Sequence, residues 1–79
     1  MRKKSVALKY PIEFEGKRIT HIEIRSPKVK DYKEAMMAKS EEEMTLISKL
    51  TGCPIEMLEE LEMIDFKQLQ EALLGFLEE

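Results

Sequence analysis

Val6-Ala7-Leu8-Lys9-Tyr10-Pro11-Ile12-Glu13-Phe14-Glu15-Gly16-Lys17-Arg18-Ile19-Thr20-His21-Ile22-Glu23-Ile24 is the stretch on which the fold turns. Val6, Leu8, Tyr10, Ile12 and Phe14 alternate with Ala7, Lys9, Pro11 and Glu13, and a period of two belongs to a strand with one buried face. Glu15-Gly16-Lys17 supplies a turn, since Gly16 is free to take a positive φ. Ile19, Ile22 and Ile24 then make the second strand of a hairpin. The parity changes between Ile19 and Ile22, which predicts a bulge near Thr20 and His21 or an Ile19 turned to the opposite face. Pro11 has no N–H to give to a ladder, so the first strand is locally an edge. A two-stranded hairpin is marginal alone and has to lean on helices or on another chain.

Helical periodicity takes over after Arg25. Ser26 is placed to cap a first helix with Pro27 at its first position. That helix runs through Val29, Tyr32, Met36 and Met37. Ser40 with Glu43 three residues later forms a capping box for a second helix, whose stripe is Met44, Ile47 and Leu50 and whose terminator is Gly52. Pro54 starts a third, with Ile55, Leu58 and Leu61 on one face. Asp65 and Gln68 make another capping box, flanked by Ile64 and Leu69 as a hydrophobic staple. The fourth helix carries Phe66, Leu69, Leu73, Phe76 and Leu77. The fold class is therefore α+β, an N-terminal β-hairpin followed by three or four short α-helices. We read residues 1–79 as a single domain, with a flexible basic N-terminus at 1–5, the hairpin at 6–25 and the helical part at 27–78.

Composition narrows the function. Hydrophobic residues are 43% and charged ones 37% of the 79, a globular and not a disordered balance. A net charge of −3 conceals a split: residues 1–39 hold 11 Lys/Arg against 5 Asp/Glu, and residues 40–79 hold 2 against 11. The split invites either a nucleic-acid arm on an acidic body or head-to-tail contact between copies. A single cysteine, Cys53, allows no internal disulfide and reads as an intracellular protein. A membrane-spanning helix needs ~20 apolar residues, far more than the run Ala72 to Leu77 provides. The start Met-Arg-Lys-Lys mimics a signal peptide, but Lys9 cuts its apolar run, so no export is expected.

Chemistry is hard to build from these residues. His21 is the only histidine and lies in a different element from Cys53, so nothing supports a nucleophile–base pair. Zinc needs about four N/S ligands, and two such side chains are present. The three glycines form no phosphate-cradling pattern. We expect no enzyme, no metal and no cofactor. The segment Leu46 to Leu58, a helix, Gly52 and a second helix, mimics a helix-turn-helix. Its second helix would carry Glu56, Glu59, Glu60 and Glu62 into the major groove with no Lys or Arg, against the need to neutralise phosphates.

The order of landmarks resembles a known family. Ile22-Glu23-Ile24-Arg25-Ser26-Pro27 with Asp31, then Leu46-Ile47-Ser48-Lys49-Leu50-Thr51-Gly52, then Leu58, Leu61, Asp65-Phe66, Leu69 and Phe76 are similar to the short tail assembly chaperones of contractile-tailed, Mu-like bacteriophages. The resemblance covers nearly the whole chain except Arg2 to Lys4. It implies a non-enzymatic assembly factor of the host cytoplasm, absent from the mature virion. Its client would be the tape measure protein, kept soluble while tail tube subunits polymerise round it. It further implies the tail tube protein and a frameshifted longer form of the chain as partners, with no nucleic acid and no membrane. Met side chains repack against varied apolar surfaces, and the adjacent Met36 and Met37 are turned ~100° apart on a helix. An apolar groove between helices is the natural holder of a helical client. Met36, Met37, Met44, Ile47 and Leu50 are expected to line it, with Tyr32 at its edge. Arg25, Pro27, Asp31, Thr51, Gly52 and Asp65 match the family pattern and read as structural. The alternative is a small helix-turn-helix DNA-binding regulator encoded by a prophage. A homo-oligomer through the hairpin edge stays open.

Overall fold

A computed structural model describes residues 2–38 and 41–78. Two antiparallel strands, β1 (Lys3–Phe14) and β2 (Lys17–Arg25), are followed by α1 (Val29–Met36), α2 (Glu42–Thr51), α3 (Ile55–Leu58) and α4 (Met63–Leu77). The α+β class is as the sequence predicts, with four helices. β1 begins at Lys3, so Lys3 to Ser5 of the basic start are part of the first strand. Arg2 also contributes its carbonyl to the Ser26 amide at 2.8 Å.

The hairpin closes on Glu15 and Gly16, with φ of 52° and 79°. Two positive φ values in a two-residue loop match the right-handed twist of the strands. Pairing runs Lys3↔Arg25 to Ala7↔His21, then resumes at Ile12↔Ile19. Four residues of β1 thus face Thr20 alone. The predicted bulge lies at that place, but its extra residues are in β1. Three extra residues is an odd number, which resets the alternation. Ile19 and Ile12 consequently pack against the core together with Val6, Leu8, Ile22 and Ile24.

The cause of the irregularity is Pro11 with its neighbours. Where the ladder lapses, Lys9 N–H donates to Asp65 Oδ1 at 2.8 Å and Tyr10 N–H to Oδ2 at 3.0 Å. Asp65 is fully buried (0% exposed) in the first turn of α4, whose N-terminal dipole favours a carboxylate. This corrects the capping box: the N-cap of α4 is Glu62, Asp65 sits at N3, and Ile64 is exposed where a staple would bury it. The first helix also starts later than predicted, with Lys28 as N-cap, while Ser26 is buried at the strand end. The Ser40 half of the predicted α2 capping box lies outside the described residues. Gly52 terminates α2 as expected, at φ 75° with its N–H on the Ser48 carbonyl at 2.9 Å.

The core lies between one face of the hairpin and the three later helices. Ile47 and Leu50 of α2, Met57 and Leu58 of α3, Leu61, and Leu69, Leu73 and Phe76 of α4 all bury against the strands' isoleucine side. Lys4 lays its ammonium 4.6 Å from the centroid of the Phe76 ring, a second tie between β1 and α4. No helix among the described residues is long and apolar enough to cross a membrane.

Replacing Asp65 by Ala strands two amides and unlocks α4 from β1. A charged hydrogen bond contributes about 1.5–3 kcal/mol, so urea unfolding of Asp65→Ala should show a loss of at least about 2 kcal/mol. A midpoint equal to wild type would show that Asp65 does not tie these elements.

Candidate functional site

α1 is fastened at its first turn. Asp31 accepts from Arg25 twice, Nη1 to Oδ2 at 2.8 Å and Nη2 to Oδ1 at 2.9 Å, and from the Lys28 backbone N–H at 2.9 Å. The sequence reads both residues as structural, without placing them in the interior. Asp31 is in fact buried and Arg25 mostly so, which gives the two-pronged contact far more weight than a surface pair. The hydrogen bonds from Arg25 hold the Asp31 carboxyl well below the usual carboxylate range, against the opposing pull of burial, and the Lys28 amide adds to the effect. The same bond raises the Arg25 guanidinium above its ordinary value. Lys49 of α2 pairs with Glu34 and steadies the far half of the helix.

So held, α1 turns Ala35 inward and leaves Val29, Tyr32 and Met36 outward at i, i+3 and i+7. Opposite them α4 presents Leu73 and Leu77, one turn apart, and Leu46 of α2 lies between. Pro27, Val29, Tyr32, Leu46, Leu73 and Leu77 line a trough of about 440 Å³, with Lys28 at its rim. Past Tyr32 the trough continues into a space of about 220 Å³ bounded by Ala35, Met36, Glu42 and Glu43. Gln70 of α4 donates to Glu43 at 2.9 Å at that second end, while Leu77 is at the first. α4 therefore runs antiparallel to α1 across the trough. A depression on the outer side of α1, lined by Lys30, Lys33, Glu34, Met36 and Met37, has only that helix and its cap for a wall.

These positions revise the expected site. Tyr32 (58% exposed) and Met36 stand at the trough, and Met44 is half-buried against the core. Ile47 and Leu50, 0% and 3% exposed, lie on the face of α2 that packs on the hairpin and do not line the trough. Met37, 82% exposed, is the C-cap residue of α1 and lies on its outer side. Sequence reasoning missed Val29, Leu46, Leu73 and Leu77 as wall residues. A signal existed in α4, where Leu73, Leu74, Phe76 and Leu77 make an apolar band too wide for one buried stripe.

Walls this apolar, with polar groups only at the ends, fit the apolar face of an amphipathic helix. Elsewhere the chemistry is sparse. His21 is exposed, with Nδ1 3.2 Å from Thr20 Oγ1, and Cys53 sits half-buried at the Gly52 turn. Among the described residues no group of three or more His, Cys, Asp or Glu is placed to hold a metal ion. α3 is a single turn of four residues. A recognition helix for a DNA groove has no counterpart there, and the exposed Glu56 and Glu59 oppose one.

Fold and trough together define a small α+β protein with an apolar channel open between α1 and α4. Sequence comparison makes the class specific: the family model for phage tail assembly chaperone proteins (E, or 41 or 14) matches residues 5–78, and the chain belongs to that family. No curated protein and no solved structure is significantly similar to it.

The Arg25–Asp31 joint has a pH signature. Because the folded carboxyl titrates below its unfolded value, its contribution is fully present above the ordinary carboxylate range and is lost as pH falls below about 4. Melting curves from pH 6 to pH 2.5 should show a smaller acid destabilisation in Asp31→Asn than in wild type. Parallel curves would contradict the assignment.

Proposed function

We propose that this tail assembly chaperone holds the tape measure protein in the trough between α1 and α4. Keeping a long helical client soluble requires covering its apolar stripe reversibly, and the trough supplies apolar walls on a rigid, independently anchored frame. The observation that carries the reading is the uncovered stripe Val29–Tyr32–Met36 facing Leu73 and Leu77. In a chain this small, large apolar side chains left outside a sealed core mark a place for a partner. The chaperone acts without catalysis, in the host cytoplasm, and helps to recruit tail tube subunits to the coated client.

Charging the walls tests this. Tyr32→Glu and Leu77→Glu alter exposed positions, where substitutions usually change stability within about ±0.5 kcal/mol. Both should cut co-purification of the tape measure protein by roughly tenfold or more while the circular dichroism and melting point hold. Met63→Glu, an exposed apolar position outside the trough lining, should bind as wild type. Equal loss in all three variants, or in none, would sink the assignment.

A further inference from the structure

We infer that the trough reads the direction of the helix it holds, and that the occupant is an amphipathic helix lying parallel to α1 with its cationic C-terminal end against Glu42 and Glu43. The inference rests on the trough being the client site and specifies the chemistry and polarity of what fits there.

The two ends of the trough differ in charge. At the Pro27 end the one charged lining residue is Lys28, with the exposed Glu78 following Leu77 there, so that end has no net negative charge. At the Met36 end the bounding polar side chains are Glu42 and Glu43, both exposed in the first turn of α2. Gln70 uses an N–H on Glu43 Oε1 and leaves that carboxylate its charge. Between the ends the lining is apolar: Tyr32, Leu46 and Leu73 are shared by both parts of the trough, so the channel is continuous.

An occupant helix must match both ends. Its cations belong beside Glu42 and Glu43 and its anions beside Lys28. A helix is itself best stabilised with Asp or Glu in its first turn and Lys or Arg in its last, because those charges offset its dipole. Only one orientation satisfies both conditions. The N-terminus of the occupant lies at Lys28 and its C-terminus at Glu42–Glu43, parallel to α1 and antiparallel to α4. Reversal would place Lys beside Lys28 and Glu beside Glu42–Glu43. α1 spans 8 residues, so the matching segment is about two to three turns long, with apolar residues at i, i+3, i+4 and i+7.

The probe is a synthetic amphipathic peptide of about four turns, carrying Leu at those spacings, Glu at its N-terminal end and Lys at its C-terminal end. A nitroxide is attached to its C-terminal residue. Added to the isotope-labelled full chain, it should broaden the amide signals of Met36, Glu42 and Glu43 and spare those of Val29 and Leu77. In low salt, Glu42→Gln/Glu43→Gln should weaken this peptide by roughly five- to tenfold, the scale of two exposed ion pairs, and the difference should vanish in high salt. A peptide with neutral Gln in place of its Lys residues should not distinguish the variant from wild type. Broadening at Val29 and Leu77, or equal affinity of wild type and variant for the Lys peptide, would overturn the polarity while leaving the trough as the site. Failure of both peptides to perturb any trough residue would remove the trough reading, and this inference with it.

Discussion

The carboxylate of Asp65 is the constraint from which the arrangement follows. Pro11 interrupts the ladder of a two-stranded sheet, and such an interruption would leave the Lys9 and Tyr10 amides facing outward at an edge. Asp65 takes both, and in doing so fixes the start of α4 against β1. The buried carboxyl group is tolerated because each of its oxygens accepts an N–H and the first turn of a helix points positive partial charge at it. With α4 locked at this point, Leu69, Leu73 and Phe76 fall over the hairpin face and Leu77 is carried across to α1.

A second polar joint sets the opposite wall. Arg25 at the end of β2 grips Asp31 in the first turn of α1, and the Lys28 amide completes the contact. α1 then needs little apolar burial to hold its place, and Ala35 is its main inward contribution. Its large side chains are thereby left for something else. The trough exists because the two walls are fastened differently: α4 by Asp65 together with the buried Leu69, Leu73 and Phe76, and α1 chiefly by the Asp31 carboxylate, which leaves its large side chains uncovered.

The hairpin was legible in the sequence because period-two alternation and the Glu15-Gly16 turn act locally. Gly52 was legible for the same reason. The parity break between Ile19 and Ile22 marked the bulge, but not which strand held the extra residues, since that depends on pairing with Pro11 and not on β2 itself. Asp65 and Asp31 look alike on paper, each near a helix start. Their true partners are 55 and 6 residues away, and the distant one has no local signature. Among the site residues, Ile47 and Leu50 share a helical stripe that proved to be core. Met36 and Tyr32 share a stripe that faces outward. Periodicity finds a face and cannot say what covers it. The charge split has a partial explanation here: cations lie on the strands, the link between β2 and α1, and α1, while Glu56, Glu59 and Glu62 lie exposed around α3 and the start of α4, where a DNA-reading helix would have needed Lys or Arg.

The central claim is that a pre-formed trough between α1 and α4 is where this chaperone meets its client. Hydrogen exchange of the full chain, alone and in complex with co-expressed tape measure protein, tests it most directly. Slowed exchange across residues 27–36 and 70–77, with the strand amides of 3–25 unchanged, is the result the account requires. Protection confined to the hairpin, with those two helical segments exchanging as in the free chain, would contradict it.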